Sequence, residues 1–124
     1  MEINKFQKCI SAGGAKTIGL KTDGTVIAIG ESTGKYNFHD WKDIIAVNTK
    51  NLHIVGFKKD GTVVAVGSNK YGECNTQNWR DIIAVCASFN YTVGLKKDST
   101  VIAVGDNEYS QCNTQNWQGI GFNH

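Results

Sequence analysis

Short β-branched runs broken by glycine, asparagine and aspartate set the hydrophobic pattern of this chain. Near its middle, Ile44 to Val47 is a short apolar run, His53 to Lys58 mixes apolar and polar residues around Val55 and Phe57, and Thr62 to Gly67 is rich in valine. No stretch keeps apolar residues at helical spacing for three turns, and the β-branched residues are concentrated in these runs, so the pattern predicts an all-β chain. Asp60-Gly61 stands between the second and third runs. Two β-branched runs joined by Asp-Gly predict a hairpin, here expected to turn as type I′ with positive φ at both central residues. The stretches Ser68 to Glu73 and Asp106 to Gln111 are turn-rich. The segments after them, Cys74 to Trp79 and Cys112 to Trp117, are expected to form a short outer strand ending on the tryptophan.

The hairpin sentence occurs three times: Leu20-Lys-Thr-Asp-Gly-Thr-Val-Ile-Ala-Ile-Gly30, Phe57-Lys-Lys-Asp-Gly-Thr-Val-Val-Ala-Val-Gly67 and Leu95-Lys-Lys-Asp-Ser-Thr-Val-Ile-Ala-Val-Gly105. Trp41, Trp79 and Trp117 recur 38 residues apart, so the unit is about 38 residues long. A repeat of this kind decides architecture before any single residue does. The chain reads as one array over 1–124, with units at approximately 4–41, 42–79 and 80–117 and a remnant at 118–124 that resembles the start of a fourth copy. The first unit has drifted, with Phe6-Gln-Lys-Cys-Ile10 where later copies have Asp43-Ile-Ile-Ala-Val47 and Asp81-Ile-Ile-Ala-Val85. In the third, Ser99 replaces the turn glycine, which predicts the weakest of the three hairpins.

Phe57-Lys-Lys-Asp-Gly-Thr-Val-Val-Ala-Val-Gly67-Ser-Asn-Lys-Tyr-Gly72 resembles the repeat of the regulator of chromosome condensation family, in a divergent bacterial form. Ala65-Val-Gly67 replaces that family's Trp-Gly pair, and Gly72-Glu-Cys-Asn75 replaces its Gly-Gln-Leu-Gly segment. The resemblance covers nearly the whole chain and implies a β-propeller of four-stranded blades, usually seven to a ring. Three units cannot close such a ring, and uncovered sheet faces associate. The expectation is a homo-oligomer, with two copies giving six blades and the remnant and the Ile3 to Ala12 segment at the seams between chains. A β-trefoil shares the plan of three repeats of about this length, but the Asp-Gly hairpins and the family motif argue against it. In the family's eukaryotic namesake one face binds nucleosomes and another promotes nucleotide exchange on a small GTPase. The segments that would provide either activity have no match here.

Composition narrows the function further. Thirteen basic and 11 acidic side chains leave a formal net charge of +2, too little for a surface facing nucleic acid or anionic lipid. The apolar runs are too short to span a membrane and the start at Met1-Glu-Ile-Asn-Lys has no secretory apolar region, so the expected compartment is cytoplasmic. His39, His53 and His124 occupy non-equivalent positions with no metal-ligand spacing, and neither a metal nor a cofactor is expected. His53 aligns with Lys16 and Tyr91, where the family often has histidine, which points to a retained structural position. Cys9, Cys74, Cys86 and Cys112 have no visible base and orienting group, so reduced thiols are expected and catalysis is not. Asp23, Asp60 and Asp98 are explained by their turns.

The tryptophans stay open to two readings. Trp41, Trp79 and Trp117 follow amides, notably Asn75 and Gln77, and Asn113 and Gln115. That arrangement suits stacking on sugar rings, with repetition adding avidity, and equally suits a wedge between blades. The leading function is a non-enzymatic interaction or scaffold module that self-associates and binds a macromolecular partner through its loops. The alternative is a multivalent carbohydrate-binding protein. Trp41, Trp79, Trp117, Asn75, Gln77, Asn113, Gln115, His53 and Tyr91 are the candidate ligand or interface residues.

Overall fold

A computed structural model of the chain describes residues 9–31 and 36–121. His124, Phe6-Gln-Lys8 and the end of the predicted fourth-copy remnant lie outside those residues. Among the described residues there are nine strands: β1 (Ile10–Gly13), β2 (Lys16–Leu20), β3 (Val26–Gly30), β4 (Ile44–Lys50), β5 (His53–Lys58), β6 (Val63–Gly67), β7 (Ile82–Ser88), β8 (Tyr91–Lys96) and β9 (Val101–Gly105). They form three antiparallel sheets in the orders β1-β2-β3, β4-β5-β6 and β7-β8-β9. None of the described residues forms a helix. The registers repeat: Lys16 pairs with Gly30, His53 with Gly67 and Tyr91 with Gly105.

Each sheet packs face to face on the next. β4 lies against β1 and β2, and β7 against β4 and β5. The middle sheet is therefore covered on both sides, and every residue of β5 except Lys58 is buried. β3, in the first sheet, alternates instead, with Ile27 and Ile29 exposed and Val26 and Ala28 half-buried. Two apolar clusters mark the two seams. Ile18 from the first sheet meets Trp41, Val47 and Ile54, and Phe57 and Val63 from the second meet Trp79, Val85 and Ile102.

Among the described residues the expected fourth strand is absent. Residues 68–81 run as successive tight turns, in which the amides of Gly72, Asn75 and Trp79 donate to the carbonyls of Asn69, Gly72 and Thr76. Side chains hold the same loop: Asn69 Oδ1 accepts from the Cys74 amide at 2.7 Å, and its Nδ2 donates to Asn75 Oδ1 at 2.9 Å. Asn107, Cys112 and Asn113 repeat that pattern. Asparagine that bonds neighbouring backbone competes with a strand ladder, and here it wins.

The hairpin turns differ from the type I′ expectation. Positive φ occurs at Gly24, Gly61 and Ser99 and not at Asp23, Asp60 or Asp98. The Gly24 amide donates to the Lys21 carbonyl, and the Lys21 amide donates to the Thr25 carbonyl. This is a three-residue loop ending on one left-handed residue. Each aspartate is committed to the turn, because its Oδ1 accepts from both the amide and the hydroxyl of the threonine two residues later. The hydroxyl bond above all holds the three carboxyls below the ordinary carboxylate value.

Ser99 adopts φ +70°, close to +83° at Gly24 and +85° at Gly61. A Cβ at Gly24 or Gly61 would stand 3.1 or 3.0 Å from the amide nitrogen of Asp43 or Asp81. Behind Ser99 the equivalent residue is Gly119, also left-handed. In the third copy the glycine therefore stands at 119 and not in the turn. Ser99→Gly is expected to raise stability by about 1 kcal/mol by removing the left-handed strain of a residue with a side chain. The urea midpoint reads this, and a lowered midpoint would refute it.

Candidate interaction site

The tryptophans are set by one local device. The backbone amides of Trp41, Trp79 and Trp117 donate to the carbonyls of Phe38, Thr76 and Thr114, at 2.9, 3.1 and 3.0 Å. After that turn the rings of Trp41 and Trp79 meet the sheet that follows in the chain. Trp41 lies against Gly56 of β5, where an added Cβ would stand 3.3 Å from the ring. Trp79 lies against Gly94 of β8, where the same atom would stand 2.7 Å away. The rings are 7% and 3% exposed, so both are wedges between sheets. Phe38 stacks edge-on to Trp41 with centroids 5.0 Å apart. Trp117 has no described sheet after it and is 52% exposed.

At the opposite end of the array, no described sheet covers the first sheet. In the second and third sheets, Val47, Val64 and Val66, and Val85, Ile102 and Val104, face the preceding sheet and pack in its seam. The residues at the matching registers of the first sheet are Ile10, Ile27 and Ile29. They are 67%, 56% and 66% exposed. Sequence reasoning missed this triad, although the period-2 alternation along the repeated hairpin places Ile27 and Ile29 on one side.

His53 closes the second seam. Thr92 Oγ1 donates to the Glu73 carbonyl at 2.6 Å, so it must accept from His53 Nε2, 2.7 Å away. The bond sets the imidazole tautomer with hydrogen on Nε2. Lys16, the residue at the same register of the first sheet, donates to the Asn51 carbonyl of the second. Tyr91 occupies that register in the third sheet and is half-buried. Thr92 and Glu73 are buried partners that the sequence did not single out.

Burial pushes the His53 pKa down, with Glu73 opposing and Lys16 adding to the fall. A histidine kept neutral in the fold takes up protons more readily when unfolded. Its contribution is complete above the ordinary value of 6.5 and is lost as pH falls below it. Melting temperature is expected to decline between about pH 7 and pH 5.5, less steeply in His53→Gln. Parallel profiles for the two proteins would refute the assignment.

Asn75, Gln77, Asn113 and Gln115 are exposed, but Asn75 and Asn113 already accept through their Oδ1 atoms. The loops before them carry Tyr71 and Tyr109 outward, their amides fixed by Glu73 Oε1 and Gln111 Oε1 at 2.8 Å. Burial first, then the Glu73 charge, pushes the Cys74 thiol up to about 11. Cys112 shifts the same way, by burial and then Asp106. Both thiols donate to backbone carbonyls, Ser68 and Asp106. No disulfide and no cluster of three metal-ligating side chains occurs among the described residues. Among the described residues no helix is long and apolar enough to cross a membrane.

Three repeated antiparallel sheets, stacked face to face with a tryptophan in each seam, define an array of β-propeller blades. No family model and no curated protein matches the sequence. Among solved structures, Prp20p from Saccharomyces cerevisiae is similar at 18% identity and a TM-score of 0.65, over 83% of this chain and 31% of that one. The same yeast protein, solved with Kap60, is described as yeast RCC1. The ectodomain of the Physcomitrella patens receptor kinase CR4 is similar at 15% identity and a TM-score of 0.68, over 93% of this chain and 34% of that one. The C-terminal domain of gp131 from bacteriophage phiKZ gives 16% and 0.56, over 92% and 41%. The fold is thus that of regulator of chromosome condensation blades, and the chain spans about a third of the length of the yeast and moss proteins. Prp20p is described as binding Gsp1p and histones.

Proposed function

We propose that the chain is a non-enzymatic propeller-type interaction module that self-associates to close a ring and binds a macromolecular partner through its loops. The observation that carries this reading is the uncovered apolar face of the first sheet, Ile10, Ile27 and Ile29. An apolar surface of this kind on a β-sheet marks an interaction site. Two copies would supply six blades and a ring without exposed ends. The loops with Tyr71 and Tyr109 present equivalent aromatic tips to a protein partner, in the cytoplasm. Burial raises the Cys74 and Cys112 thiols, which speaks against a nucleophilic role for these two residues. The small net charge keeps nucleic acid off the list of partners.

A repeated sugar platform is less well supported, because the rings of Trp41 and Trp79 are covered and only Trp117 offers a face. Size-exclusion chromatography with light scattering tests the main reading. The expected mass is a multiple of the 13.5 kDa chain, with the dimer favoured. A mass of 13.5 kDa at micromolar concentration would overturn self-association.

A further inference from the structure

The two faces that no described sheet covers are complementary, and the seams inside the chain show how such faces join. At each internal seam a tryptophan from the loop between two sheets rests on a glycine in the middle strand of the second, Trp41 on Gly56 and Trp79 on Gly94. The valines and isoleucines of the following sheet flank the ring. Trp117 repeats the ring at the end of the array and is half exposed. Gly19 repeats the glycine at its beginning: it pairs with Ile10 and Ile27 as Gly56 pairs with Val47 and Val64. Among the described residues, a Cβ at Gly19 would meet only Ile27 Cγ2, at 3.3 Å, and no ring. The seat exists within the chain, and so does a knob of the right shape.

From this we infer that the chain self-associates head to tail, with Trp117 of one copy seated over Gly19 of a second copy and flanked there by Ile10, Ile27 and Ile29. The inference rests on the self-association proposed above and specifies its joint. Polar bonds that recur at the internal seams extend the same register. Ser11 Oγ accepts from the Thr49 amide at 3.0 Å, and Asn48 Oδ1 accepts from the Ala87 amide at 2.8 Å. Lys16 and His53 reach the following sheet from one register, which Tyr91 occupies on the uncovered end. A head-to-tail joint places Cys86 and Tyr91 of one copy beside Ala12 and Thr17 of the next. Because the two surfaces differ, the contact is heterologous, and it ends in a ring when the rotation closes.

Two variants separate this joint from any other. Trp117→Ala removes the knob and leaves the seat; Gly19→Leu fills the seat and leaves the knob. Far-UV circular dichroism matching the wild type verifies that each folds, and Gly19→Ala replaces the leucine variant where it does not. Each variant alone is expected at the single-chain mass of 13.5 kDa, while their equimolar mixture recovers a pair of twice that mass through the one intact joint. A wild-type multimer whose mass survives either substitution overturns the joint and leaves self-association standing, as does a mixture that stays at the single-chain mass. A wild type at that mass overturns both.

Discussion

Trp79→Ala is expected to lower the stability of the chain by about 3–5 kcal/mol, the range for removing a buried aromatic ring from a packed core. The ring lies in the seam between the second and third sheets with Phe57, Val63 and Ile82. Its face rests on Gly94 so closely that no side chain fits between them. Alanine would leave a cavity that rigid sheets on either side cannot collapse to fill. Small domains are stable by only about 5–15 kcal/mol, so the variant loses much of its margin. The urea midpoint should fall by roughly 2 M, given a slope of about 1–3 kcal/mol per molar for a chain of this size. A fall below about 0.5 M would show that the ring is not a wedge. Trp117→Ala, at a half-exposed ring, is expected to change the stability of an isolated chain far less.

Gly67→Ala is the second large effect, at about 3 kcal/mol, and its cause is backbone rather than core. Gly67 ends β6 with φ +117°. A Cβ there would stand 2.3 Å from the Leu52 carbonyl oxygen and 2.8 Å from the His53 Cα. That carbonyl already accepts from the Ser68 amide at 2.8 Å, so it cannot swing away without losing a bond. Gly105 meets the Asn90 carbonyl in the same way. Thermal unfolding of Gly67→Ala measures the cost, and a melting temperature within a degree or two of the wild type would refute the clash.

Much of the architecture was legible in the repeat. Strand positions followed from β-branched runs, hairpins from the Asp-Gly pairs, and the blade plan from a unit of about 38 residues. Those features depend on residues close in sequence, whose propensities act locally. The errors arose where a side chain chose between local partners. Asp23, Asp60 and Asp98 spend their Oδ1 on a threonine, which leaves only the next residue left-handed. Asn69 and Asn107 bind the Cys74 and Cys112 amides and replace the expected outer strand with turns. Neither choice alters the hydrophobic pattern, so periodicity could not register it.

The interaction surface was legible in part. Trp41, Trp79 and Trp117 were identified together, and their equivalence concealed that they would differ. Ile10, Ile27 and Ile29 were unremarkable as sequence because the same positions elsewhere are also aliphatic. The repeat alignment points to a structural position for His53, yet Thr92 and Glu73 lie 39 and 20 residues from it in the chain, and only folding brings them together.

By itself the sequence determined the strands, the hairpin positions and the threefold repetition, because each rests on chemistry within a few residues. The tertiary structure alone decided which copies are covered. Cys74-Asn-Thr-Gln-Asn-Trp79 and Cys112-Asn-Thr-Gln-Asn-Trp117 are the same six residues in the same turn. The first tryptophan is buried and the second half exposed, since burial belongs to the neighbouring sheet rather than to the residue.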